Sequence, residues 1–237
     1  MLANIKVIAF DADDTLWVNE PYYRETEYKF AELLSEYISE KECIDKLFKV
    51  EMQNLKLYGY GAKGFVLSMI ETAFQISDYK ISGKSIEQII NFGKELNNKI
   101  IDILPGVKDL LSKLKNTDYK IITATKGDLL DQERKLKKSG LAPFFHHIEV
   151  MSNKKEDDYL KLLKRCDVKP ENFLMIGNSL MSDILPVLKI GSNAVFVPFH
   201  TTWIHEEADE NEFVKYDNYY KIKNPAEILN IINLSKK

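Results

Sequence analysis

Asp11, Asp13 and Asp14 follow directly on the apolar run Ile5-Lys6-Val7-Ile8-Ala9-Phe10. A run of this kind, rich in β-branched residues, reads as a buried strand. Carboxylates crowded at a strand's end repel one another unless something positive sits among them. A divalent cation answers that need, and hard oxygen ligands suit Mg²⁺. An acidic loop capping the next element is the competing reading, but an apolar strand pins these side chains more firmly than a free loop would.

Chemistry-bearing residues recur at the ends of three later apolar runs. Tyr119 to Ala124 leads into Thr125-Lys126-Gly127, and Ile148 to Met151 into Ser152-Asn153-Lys154-Lys155. Phe173 to Ile176 leads into Gly177-Asn178-Ser179, with Asp183 in the following helix. Open parallel sheets bind ligands beyond the carboxyl ends of their strands, so these groups are expected to converge. Together they suit phosphoryl transfer. Asp11 is expected to attack phosphorus and form an aspartyl-phosphate. Asp13 is expected to face the same way along extended backbone, protonating the leaving oxygen and later taking a proton from water. Mg²⁺ would offset the repulsion between nucleophile and phosphate. Thr125, the Gly127 amide and Lys154 are expected to hold the phosphoryl oxygens.

The elements that must position these groups come in two styles. From about Tyr22 to Asp102 apolar residues recur at helical period, in four successive amphipathic stretches without a strand signal, which predicts a small bundle. Gly93 reads as a weak point in the fourth helix. After Leu104-Pro105-Gly106 strands alternate with helices: strands near 119–124, 148–151, 173–176 and 194–197, helices near 107–114, 129–138, 159–165 and 182–188. That alternation predicts an α/β fold with a parallel sheet covered on both faces. The first strand precedes the helical block but must pair within the later sheet. The predicted core domain is therefore residues 1–18 and 104–237, with a helical cap domain at 19–103.

The chain resembles the haloacid dehalogenase-like superfamily, in its phosphatase branch with a helical C1 cap inserted after the first motif. Asp11-Ala12-Asp13-Asp14-Thr15 resembles motif I, Thr125 motif II, Lys154 motif III and Gly177 to Asp183 motif IV. The resemblance spans nearly the whole chain and implies a Rossmann-like core. It also implies Asp11 as nucleophile, Asp13 as acid/base, and a metal held by the Asp11 carboxylate, the Asp13 carbonyl and a motif IV carboxylate. Two positions depart from the family pattern. Lys126 stands where Asn is common and would add positive charge beside the phosphate, unless it is simply a solvated loop lysine. Asn178 stands where motif IV opens with Asp, so Asn178 and Asp183 are the expected motif IV ligands, and the site would bind metal more weakly. Lys154 is preferred over Lys155 for motif III because it lies nearer the strand end.

Composition narrows the function further. With 45% hydrophobic residues the chain can build a real core, and a net charge of −3 argues against broad nucleic-acid affinity. Two cysteines far apart suggest neither a disulfide framework nor a zinc site. No apolar stretch approaches the roughly 20 residues that span a bilayer. The N-terminus lacks a signal-peptide pattern, so the expectation is a cytoplasmic protein without a membrane partner. Tyr58 to Gly64 reads as a turn between cap helices from which Tyr60 and Lys63 could touch substrate. His200, Trp203, His205, Glu206 and Glu207 lack regular ligand spacing and read as a surface loop, as do His146 and His147. The leading reading is a Mg²⁺-dependent phosphatase acting on a small phosphorylated metabolite. The alternatives are a non-catalytic phosphate-binding or regulatory protein, a 2-haloacid dehalogenase, a phosphonatase using Lys63, and a phosphoglucomutase.

Overall fold

The computed structural model describes residues 2, 4–206 and 208–232. Six parallel strands form one sheet: β1 Val7–Phe10, β2 Lys120–Lys126, β3 His147–Met151, β4 Phe173–Gly177, β5 Asn193–Phe196 and β6 Tyr219–Lys221. Their order is β3-β2-β1-β4-β5-β6. Every β1 side chain is buried, as its central place demands. From β1 the chain winds outward to β2 and β3, then returns to β4 on the other side of β1. The topological switch point thus lies between β1 and β4, where such sheets bind ligands. Register brings their ends level: Phe10 pairs with Thr123 and with Ile176. The Asp11 amide then donates to Ile176 O at 2.8 Å.

Helices α1 Glu20–Leu33, α2 Glu40–Tyr58, α3 Ala62–Ile76 and α4 Gly83–Asn98 follow β1. Later come α5 Val107–Leu114, α6 Leu129–Lys138, α7 Glu156–Cys166 and α8 Leu185–Lys189. One face of the sheet packs Ile8, Phe10, Ile121, Leu174 and Ile176 with Val107, Leu110 and Leu114 of α5. The other packs Val7, Ala9, Ile122, Phe173 and Met175 with Tyr159 and Leu162 of α7. The alternation of strand residues between the two cores is the period-2 geometry of a sheet buried on both sides.

The chain divides into an α/β unit (Met1–Glu20, Ile101–Lys126, Gln132–Lys237) and a helical unit (Pro21–Ile100, Gly127–Asp131). The division departs slightly from 18/19 and 103/104. Val18 N donates to Asp102 O at 2.9 Å and Leu104 N to Leu16 O at 2.9 Å, tying 101–104 to the segment after β1. Asp14 accepts from the amides of Asn19 and Glu20, which keeps those residues with it. Residues 127–131 group with the helices, contrary to the sequence reading.

Two further elements differ from expectation. β6 was not predicted, and the helix near 182–188 is a π turn, Leu180–Ile184, running into the short α8. Within the helical unit Ser39 and Ser82 cap α2 and α4, their hydroxyls accepting from Glu42 N and Ser85 N. Gly93 does not break α4. A Cβ there would overlap Val66 Cγ2, so the glycine marks close packing of α3 on α4.

Candidate active site

Asp11 leaves the end of β1 and is buried. Its Oδ1 accepts from the Lys154 ammonium, which also donates to Asp183 Oδ1 at 2.6 Å. Lys154 is 1% exposed at its side chain, as is Asp183. Burial raises Asp11 to about 7, assisted by the Asp183 and Asp13 charges and opposed by Lys154. Burial alone would discharge Lys154, but the two carboxylates outweigh it and hold the ammonium more firmly protonated than usual. Lys155 is exposed at the start of α7, its backbone amide donating to Asp158. Of the two lysines, the structure brings Lys154 to Asp11.

Asp183, expected as a metal ligand, has two protein partners. Its Oδ2 accepts from Ser179 N at 3.0 Å while Oδ1 faces Lys154. It is also why residue 177 is glycine: a Cβ there would overlap the Asp183 carboxylate. Asp183 therefore holds Lys154 in place beside Asp11.

Asn178 faces the opposite side of Asp11. Its inward amide atom lies 3.0 Å from Thr15 Oγ1, 3.2 Å from Asp11 Oδ2 and 3.1 Å from Asp13 O. With nitrogen inward, the amide donates to all three. With oxygen inward, it accepts from Thr15 and stands beside two more oxygens at the edge length, about 3.0 Å, of an octahedron with Mg²⁺–oxygen bonds near 2.1 Å. The donor chemistry fits a hard divalent cation: one carboxylate, one carbonyl and one amide oxygen. Among the described residues no group of three or more His, Cys, Asp or Glu forms a metal cluster, so such a site would be of this mixed kind.

Asp13 stays close enough to raise the Asp11 pKa, yet its carboxylate has its own partners. Trp17 Nε1 donates to Oδ1 at 2.7 Å, Gln132 Nε2 to Oδ2 at 2.9 Å, and Lys135 Nζ to both at 3.0 and 3.1 Å. Lys135 also donates to Asn19 Oδ1 at 2.8 Å. Asp13 itself stands in an isolated bridge to Trp17. Asp14 takes a positive φ of 61° and its amide donates to Trp17 O at 2.7 Å, closing a tight turn after Asp13 that brings Trp17 back beside it. Asp14 itself is buried and raised to about 8 by that burial.

The other expected residues are more dispersed. Thr125 lies buried near the end of β2, two residues past the partner of Phe10, its hydroxyl donating to Lys126 O at 3.2 Å. Lys126, expected at the phosphate, instead runs to Glu206 and to Ser182 Oγ at 2.8 Å. Gly127 has a φ of 129°, open to glycine and strained for other residues. It groups with the helical unit, as do Tyr60, half-buried between α2 and α3, and Lys63, exposed on α3. Lys63 Nζ pairs with Asp128 Oδ2 at 2.9 Å.

Comparison with known proteins identifies the family. A family model for haloacid dehalogenase-like hydrolases matches residues 5–191. The chain belongs to that family. A haloacid dehalogenase-like hydrolase of Xanthomonas campestris has a crystal structure with a TM-score of 0.83 and 36% identity, over 94% of this chain and 88% of that one. Glyceraldehyde 3-phosphate phosphatase of Pyrococcus furiosus is 30% identical over 101 residues, 40% of this chain and 42% of that protein. Pyrimidine 5′-nucleotidase PynA of Streptococcus pneumoniae is 32% identical over 111 residues, 44% of this chain and 47% of that protein. The matches thus span less than half the length of these curated relatives.

Four residues of this haloacid dehalogenase-like site escaped the sequence reading. Trp17 sits four residues after Asp13, and Gln132 and Lys135 sit three apart on one face of α6, a spacing that could have signalled a shared partner. Lys135 opens the short basic run Lys135-Leu136-Lys137-Lys138, which by sequence alone reads as a solvated helix face. Glu206 was dismissed with its neighbours for lack of ligand spacing; of that cluster, Glu207 lies outside the described residues.

Proposed function

We propose that the chain is a Mg²⁺-dependent phosphohydrolase that cleaves phosphate monoesters of small metabolites through an aspartyl-phosphate at Asp11. The observation that carries this is Asp11 itself: one oxygen on the buried Lys154 ammonium, the other beside Asn178 and Thr15, with a second carboxylate two residues on. Two relatives are named for glyceraldehyde 3-phosphate and pyrimidine 5′-nucleotides, both small phosphate monoesters, and this supports the substrate class.

Asp11 Oδ2, Asp13 O and Asn178 Oδ1 would hold the cation, which supplies positive charge against the anionic phosphate. Asp11 attacks phosphorus, and the bond to the ester oxygen breaks as Asp13 delivers a proton to the leaving alcohol. Asp13, now a carboxylate steadied by Trp17, Gln132 and Lys135, takes a proton from water. That water attacks phosphorus, the bond to Asp11 breaks, and phosphate leaves. Lys154 favours the ionised Asp11 against a burial that raises its pKa.

Phosphate release from p-nitrophenyl phosphate tests this. Wild type with Mg²⁺ is expected to turn over, chelation to stop it, and Asp11→Asn to lower the rate by about 10³-fold or more. An Asp11→Asn chain that still releases phosphate at the wild-type rate would sink the reading.

A further inference from the structure

We propose that Glu206 is a positioning residue that clamps the end of β2 to the loop after β4, and that Lys126 serves this clamp. Glu206 sits in a short 3-10 turn, Ile204–Glu206, beyond β5. Its side chain is only 11% exposed and that of Lys126 15%. Glu206 Oε1 accepts from the Lys126 ammonium, and Oε2 accepts from the Ser179 hydroxyl and from Ser182 Oγ at 2.6 Å. Lys126 Nζ also donates to Ser182 Oγ at 2.8 Å. Ser182 N donates to Ser179 Oγ at 3.0 Å, so the Ser179 proton is left for Glu206. Burial pushes the Glu206 carboxyl up, but the Lys126 charge and these hydrogen bonds prevail and hold it at about 2.

What the clamp holds gives it meaning. Lys126 is the neighbour of Thr125, Ser179 of Asn178, and Ser182 of Asp183. Tyr159 adds to the same corner, its hydroxyl donating to Ser182 O at 2.9 Å. One carboxylate from a third segment therefore fixes the backbone on both sides of the switch point. A displacement of about 1 Å in such groups costs on the order of 10²-fold in rate. Neutralised by Glu206, Lys126 adds no net charge to the phosphate site.

This inference rests on the proposed phosphatase reading for its kinetic arm and has a second arm that does not. In the full chain, Glu206→Gln is expected to lower kcat for p-nitrophenyl phosphate by about 10- to 100-fold, with KM within about twofold of wild type. Losing one partner of a largely buried ion pair should also lower the melting temperature, so activity is assayed well below it. Ser182→Ala, which leaves the ion pair in place, should lower kcat less and in the same direction. Separately, the rate at which Lys126 reacts with acetic anhydride, read by mass spectrometry, should rise in Glu206→Gln. Unchanged kcat in both variants, or an unchanged Lys126 labelling rate, would overturn the proposal. So would a raised KM in Lys126→Met at constant kcat, since Lys126 would then be a phosphate ligand. A wild-type chain that releases no phosphate would sink the phosphatase reading, while the labelling still decides the clamp.

Discussion

Lys154 carries an unusual share of the charge balance, because one buried ammonium answers two buried carboxylates, Asp11 and Asp183. Removing one partner of a buried ion pair costs about 3–5 kcal/mol, since the charge left behind has lost its solvent and its partner. Lys154→Met leaves two such charges facing each other. It should abolish phosphate release and lower unfolding stability by about 3–5 kcal/mol, measured by urea denaturation. Adding Asp183→Asn should restore part of the stability and none of the activity. A single variant as stable as wild type would show that the pair contributes little. Sequence favoured Lys154 over Lys155 only by one residue's distance from the strand end, and the start of α7 is what separates them. Lys155 caps that helix and turns outward, whereas Lys154 precedes it and turns in. Likewise the spacing of Asp11 and Asp13 gave no sign of Trp17, Gln132 and Lys135 as partners of Asp13, because these come from the far side of the turn and from α6. Asp183 was read as a ligand for its charge; its partners emerge only when β4 is folded beside α7.

Gly93 shows how an element's packing can reverse its propensity. Replacing a helical glycine by alanine favours the helix by about 1 kcal/mol. Here the added Cβ would overlap Val66 Cγ2, and Val66 is β-branched and cannot easily rotate aside. Overpacking costs typically 1–3 kcal/mol, so steric loss should win. Gly93→Ala is expected to lower the stability of the helical unit, and Val66→Ala in the same chain to return most of it. Gly93→Ala raising the melting temperature would mean that α3 and α4 separate at little cost. Helices α1 to α4 and strands β1 to β5 were legible because each carries a continuous apolar pattern of the right period. β6 was not, having three half-buried or exposed residues at the sheet edge and no apolar run. The π turn at Leu180–Ile184 was also hidden, since a one-residue widening leaves the apolar pattern almost unchanged.

At the scale of the molecule, the helical core and the two faces of the sheet share no residue. Phe30, Leu34, Leu47, Phe65, Met69 and Ile89 pack together in the first, while β1 and its neighbours fill the others. The chain passes between its units at Glu20/Pro21 and Ile100/Ile101, and again at Lys126/Gly127 and Asp131/Gln132. The insertion was legible because β1 stands before the helices and finds its partners only after them. Separate cores imply separate local stabilities. Leu47 is 1% exposed, and Leu→Ala at such a site costs about 2–5 kcal/mol through lost transfer energy and the cavity left behind. Hydrogen exchange on full-length Leu47→Ala should therefore lose protection in α2, α3 and α4, by about 30-fold or more if the 2 kcal/mol minimum appears in full. The amides of β1 and β4, buried in the sheet around Asp11, should exchange at their wild-type rates. Equal loss in the strands would mean that the two cores open together, and that the insertion is bound into one cooperative unit with the sheet.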